Sequence, residues 1–175
     1  MKSQIVRIDN NGNGFSDALE QTTKISELSP KNTLRLKLLA EEMLSLARSV
    51  TGEMQASFWV EREDGLYTLH MTTKTVMDKE KRAQLLMSAT SRKNEAAKGF
   101  LGKLRDVFEQ AMAAEVVHNY EEVPYELRND LAYAHQEDPE WDGYERSILR
   151  KLADDVKIAI RGGTVEMTVA KRFEE

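Results

Sequence analysis

Apolar residues return every third or fourth position through Leu36, Leu39, Met43, Leu46 and Val50, the spacing of one helix face. Both ends of this stretch are marked. Ser29 suits an N-cap, Pro30 the first helical position and Gly52 the stop, so the pattern predicts one long helix over Ser29 to Gly52. Lys37, Glu41, Ser45 and Arg48 form the opposite side. Leu38, Leu44 and Ala47 widen the apolar side, which predicts packing on more than one neighbour. A second stripe through Phe15, Ala18, Leu19, Thr22, Ile25 and Leu28 predicts a helix over Phe15 to Leu28.

Elsewhere the period falls to two. Ala56, Phe58 and Val60 alternate, Asp64-Gly65 turns the chain, and Tyr67, Leu69 and Met71 alternate again, which predicts a hairpin over Met54 to Thr73. Val156, Ile158 and Ile160, then Gly162-Gly163, then Val165, Met167 and Val169 predict a second hairpin. Residues 3–8 predict a short strand. Asn10 to Gly14 is a turn with neither the GxxxxGK[ST] nor the GxGxxG spacing of a phosphate loop. Asp78 predicts the cap of a helix reaching about Thr90. Asn94 to Ala114 predicts another helix, with Gly99 and Gly102 in its first turns, and Tyr144 to Asp154 a last one. Long helices with antiparallel hairpins predict an α+β fold: a two-layer sandwich, a mixed but mostly antiparallel sheet with helices on one face. The length predicts one domain over 1–175, with an acidic, aromatic insertion at about 113–146.

The order of strand, helix, helix, hairpin, Gly-bearing helix and terminal strands resembles the histidine-kinase-like ATPase superfamily. Within it, the likeness is to bacterial anti-sigma factors of the serine-protein-kinase type. That family carries Glu-x-x-x-Asn on its central helix. The Glu orients water or a hydroxyl, and the Asn ligates the Mg²⁺ that bridges the phosphates. Here LRLKLLAEEMLSLAR is similar to that helix, with Glu42 at the Glu position and Leu46 at the Asn position. Shifting by one pairs Glu41 with Ser45, which keeps an oxygen. The family's Asp-x-Gly-x-Gly, whose Asp reads adenine, is matched by HMTTKTVMD. Thr72 or Thr73 stands near the Asp, and the glycines are missing. Its Gly-rich phosphate turn is matched loosely by AAKGFLGKL, with Lys98, Gly99 and Gly102.

The resemblance therefore implies a non-catalytic regulatory or protein-interaction module with a decayed nucleotide site. No cofactor is expected, and the partner expected is a protein such as a sigma factor or another regulator. An ATP-binding serine-protein kinase with atypical ligands stays open as the alternative. In that case Glu42 is catalytic, and Glu42, Ser45, Thr72, Lys98, Gly99 and Gly102 hold ATP and Mg²⁺. Binding of another small molecule in the old cleft also stays open, as does a homodimer.

Charge and composition trim the remaining classes. The net charge of −5 gives no reason to expect nucleic acid. The lack of cysteine excludes disulfides, thiolate metal sites and thiol catalysis, and fits a reducing cytoplasm. No apolar run approaches the roughly 20 residues that span a bilayer, so no membrane association and a cytoplasmic location are expected. Residues 74–105 hold nine cations against three acids, in the stretch that forms the family's lid over the phosphates. Residues 113–146 hold ten acids against two cations, interleaved with Tyr and Trp that suit an interface. His70, His118 and His135 lie far apart without metal-ligand spacing, and alternation puts His70 on the outer face of its strand.

Overall fold

The computed structural model describes residues 1–52, 55–97 and 148–174. Its elements are β1 (Val6–Ile8), α1 (Phe15–Lys24), α2 (Pro30–Thr51), β2 (Ala56–Glu63), β3 (Leu66–Lys74), α3 (Lys79–Ser88), a 3-10 turn (Glu95–Ala97), β4 (Asp155–Arg161) and β5 (Thr164–Arg172). Residues 148–152 are also helical. The predicted helix residues beyond Ala97, the acidic insertion and residues 144–147 lie outside the described residues.

The fold is α+β. Five strands form one sheet in the order β1-β2-β3-β5-β4, so both predicted hairpins share it. Among the described residues every pairing between these strands is antiparallel, where a mixed but mostly antiparallel sheet was expected. The Asp64-Gly65 turn has positive φ at both residues, and a two-residue turn of that kind matches the twist of its strands. It fixes Glu63 opposite Leu66, Trp59 opposite His70 and Phe58 opposite Met71.

Alternate residues of the strands, among them Phe58, Val60, Tyr67, Leu69, Met71, Val156, Ile158, Val165, Met167 and Val169, are buried in one core with the helices. Among the described helices, α2 contributes the most buried residues to that layer. The predicted stripe of Leu36, Leu39, Met43, Leu46 and Val50 is wholly buried, with Leu44 and Ala47 beside it. Leu38 departs from expectation: it is 37% exposed. The Ser29 hydroxyl accepts from the Asn32 N–H at 3.4 Å, and Pro30 opens the helix as expected.

Helix α1 starts at Phe15 as predicted but stops at Lys24, short of Leu28. Past it, Ser26 and Thr33 share a hydroxyl hydrogen bond and the Ser26 hydroxyl accepts from the Leu28 N–H, so local polar bonds replace a further helical turn. Gly14 precedes α1 at φ 89°, and a Cβ there would sit 2.1 Å from the Arg7 carbonyl oxygen. Only glycine allows that close approach of helix to strand.

The predicted helix from Asn94 is corrected at its start. Asn94 is not helical; it clamps the edge of the sheet. Its amide nitrogen donates to the Ile160 carbonyl at 2.9 Å, and its amide oxygen accepts from the Ile160 N–H at 2.8 Å. Thr90 does the same for Val156, donating from its backbone N–H and accepting at its hydroxyl, each at 2.8 Å. The outward backbone groups of Val156 and Ile160 are thereby satisfied, which blunts that edge of β4 against another strand.

Candidate functional site

Four of the predicted site residues and positions fall within the described structure. Glu42 and Ser45 sit on α2, three residues apart and half-buried. That spacing puts them on one side of the helix. Leu46 is 1% exposed and belongs to the core cluster. Its side chain is enclosed by packing, so this position cannot present a ligand to solvent or to a phosphate. Lys98, Gly99 and Gly102 lie outside the described residues.

Strand β3 separates Thr72 from the α2 residues. Thr73, Met71 and Leu69 face the helices and are buried. Thr72 alternates with them and therefore occupies the opposite face of the sheet. Its register neighbours are Ser57 and Glu166. Thr73 is the residue on the helix side, and its hydroxyl donates to the Gln55 carbonyl at 3.0 Å. The structure thus brings Glu42 and Ser45 together and keeps Thr72 away from both.

Among the described residues a cleft lies at the C-terminal end of α2, not beside Glu42. It encloses about 860 Å³ and is walled by Gly52, Gln55, Lys74, Thr75, Lys81 and Gly163, among others. Gly52 is ten residues beyond Glu42, which at the helical rise is about 15 Å. Lys74 and Lys81 are the only ionisable side chains among the described lining residues, and Lys81 also donates to the Val76 carbonyl at 3.4 Å. Such a wall attracts anions. It holds no carboxylate or imidazole for general acid or base work among the described residues.

A second assembly occupies the other face of the sheet. Trp59 and His70, opposite each other on β2 and β3, stack with centroids 4.9 Å apart and planes 8° from parallel. The Lys2 ammonium lies 4.8 Å from the Trp59 ring centroid, an attractive position for a cation. Glu61 ties the group together: it accepts from the Trp59 indole N–H at 3.0 Å and pairs with Lys2 at 3.1 Å. These partners, the Lys2 bond first, hold the Glu61 carboxyl below its ordinary value. The His70 Nε2 lies 3.6 Å from Glu61, too long for a hydrogen bond. Burial lowers the His70 pKa; the Glu61 carboxylate opposes this without overturning it, and Lys2 adds to it.

Sequence reasoning placed His70 on the outer face but missed this cluster. The signal was present. The two-residue Asp64-Gly65 turn fixes the register, and counting back from it sets Trp59 across from His70. The Thr90 and Asn94 clamps left no such signal, because they join residues 66 apart in the chain.

No protein-family model matches the chain, and no curated protein matches it either. Among the described residues, no helix is long and apolar enough to cross a membrane.

Proposed function

We propose that this chain is a non-catalytic regulatory or protein-interaction module. On this reading it has a histidine-kinase-like ATPase fold of the anti-sigma type and a decayed nucleotide site. Support for the fold comes from the element order and from a terminal hairpin that joins the central sheet beside β3, with one face of the sheet buried in a core shared with the described helices. The observation that carries the functional reading is Leu46. It stands where the resemblance calls for the metal-ligating amide, and it is 1% exposed within the core.

The residues described do not fit Mg-ATP. A bridging cation needs oxygen ligands, and Leu46 offers none. The adenine-reading carboxylate is matched by Thr72, which faces away from α2, or by Thr73, whose hydroxyl proton is committed to Gln55. What remains is positive charge at Lys74 and Lys81, which would attract a phosphate without selecting a nucleotide and would weaken with salt. The partner on this reading is a protein, of the sigma-factor or other regulator class.

Calorimetric titration with ATP, with and without Mg²⁺ and at moderate salt, tests this. The expected isotherm is flat, or weak and indifferent to Mg²⁺. A micromolar, Mg-dependent and salt-resistant isotherm would overturn the reading and favour the serine-protein kinase.

A further inference from the structure

We infer that the loop between β1 and α1 is a calcium site, with Asp9, Asn11, Asn13 and Glu20 as its side-chain ligands. The inference is independent of the nucleotide question and concerns a stretch that the proposed function leaves unused.

The sequence carries it first. Asp9 to Glu20 reads DNNGNGFSDALE. Oxygen-bearing side chains stand at the first, third, fifth, ninth and twelfth places, and glycine at the sixth. That is the whole pattern D-x-[DN]-x-[DN]-G-x5-E of a twelve-residue calcium loop. Fixed spacing sets it apart from a mere run of acids, since Asp9, Asp17 and Glu20 are the only acidic residues in the stretch.

The chain is also wound as the pattern requires. Both interior glycines take positive φ, Gly12 at 82° and Gly14 at 89°. One Asp9 carboxylate oxygen accepts the Asn11 N–H at 2.9 Å and the Asn13 N–H at 3.0 Å. Its other oxygen accepts from the Asn13 side-chain amide at 2.8 Å. These bonds, that of the Asn13 side chain first, hold the Asp9 carboxyl below its ordinary value. Turning the Asn13 amide over sets its oxygen beside the Asp9 oxygen. Two such oxygens repel unless a cation lies between them, and Ca²⁺ takes carboxylate and amide oxygens alike. The exposed Asn11 side chain has no part in the loop's own bonds and supplies a third oxygen. Glu20 lies on α1 and pairs with Lys24 at 2.7 Å, with the two side chains 59% and 61% exposed. A surface pair of this kind is weak, so Glu20 can exchange the ammonium for a metal ion.

The same residues set the kind of cation and its strength. Among the described residues no three carboxylate or imidazole side chains converge on a metal position, so the two amides are essential to the site. Ca²⁺ accepts such irregular, weakly charged oxygen sets, with water completing the shell, whereas Mg²⁺ demands near-octahedral geometry. Phe15 opens α1, so its carbonyl, a ligand in a full loop, is taken by the helix. The Arg48 guanidinium stands beside Gly12 and opposes a cation there. Both features place the Kd at the weak end of calcium loops, about 10⁻⁴–10⁻³ M.

Calorimetric titration of the chelator-treated full chain with CaCl₂, read beside amide NMR spectra, tests the inference. Saturable binding in that range is expected, with shifts confined to Asp9 to Gly14 and Glu20, and Mg²⁺ at least about tenfold weaker. Asp9→Asn raises the Kd at least about tenfold, because it removes ligand charge. Asp9 also holds the loop's N–H groups, so Asn11→Ala serves as a second variant. It raises the Kd at least about threefold while the thermal midpoint in chelator is unchanged. No saturation by about 10 mM Ca²⁺ overturns the inference. So do shifts centred outside the loop, Mg²⁺ binding as tight as Ca²⁺, or an unaltered Kd in both variants.

Discussion

The two faces of the sheet are built from the same strands, one residue apart, and they do different work. Phe58 points into the helical layer and is fully buried; Trp59, the next residue, lies on the opposite face against His70 and Lys2. On the inner face, burial of continuous apolar surface supplies stability. On the outer face, a stack, a cation over a ring and a carboxylate hold side chains that are only partly buried. The comparison teaches that helical cover, not strand identity, decides which residues the fold depends on.

The largest effect belongs to the inner face. Phe58→Ala should cost about 3–5 kcal/mol in urea unfolding, as buried aromatic truncations do. Trp59→Ala, its half-buried neighbour, should cost less, about 1–2 kcal/mol, the worth of the aromatic pair plus a partial burial term. Equal losses at the two positions would break the contrast between the faces.

Between these lies the edge. Asn94→Ala removes both hydrogen bonds to Ile160 and leaves a buried N–H and C=O without those partners, which should cost about 1–3 kcal/mol. Amide hydrogen exchange at Ile160 should quicken in the variant while the Phe58 amide keeps its protection relative to global stability. Unchanged exchange at Ile160 would mean that Asn94 does not seal the strand.

The smallest effect is pH-dependent and confined to the outer face. His70 holds its proton less tightly in the folded chain than its ordinary value of 6.5 implies, because burial disfavours the cation. Its contribution is therefore present above that value and is lost as pH falls through the lower folded value. Unfolding midpoints should decline as the buffer is taken from about pH 7.5 towards about pH 5, and His70→Gln should flatten that part of the curve. An unaltered slope in His70→Gln would remove the imidazole from the account. Loss of the Glu61 contribution belongs to more acidic solution, since its carboxyl is held below its ordinary value of 4.5.

Much of the fold was legible because it rests on local chemistry. The caps at Ser29 and Gly52, the two hairpin turns and the period-two strands depend on neighbours a few residues away, and they stand where the pattern put them. The sheet order, by contrast, rests on β3 pairing with β5 across a long intervening stretch, which no turn dictates. The start of α1 was legible from its stripe, but its end was not, because the Ser26–Thr33 bond competes with the helix. For the candidate site, alternation alone shows that Thr72 and Thr73 face opposite ways. The position of the cleft at the far end of α2 follows from tertiary packing and could not be read from motif spacing.

Leu46→Asn tests the central claim most directly, because it restores the amide that the resemblance calls for at a position the core encloses. Unfolding stability and Mg-ATP binding would be measured on the same variant. The account predicts a destabilised protein, by about 2–5 kcal/mol, since packing is lost and a polar amide is buried, with no gain of Mg-dependent binding. Unchanged stability together with newly acquired Mg-ATP binding would contradict it, for Leu46 would then face a working nucleotide pocket.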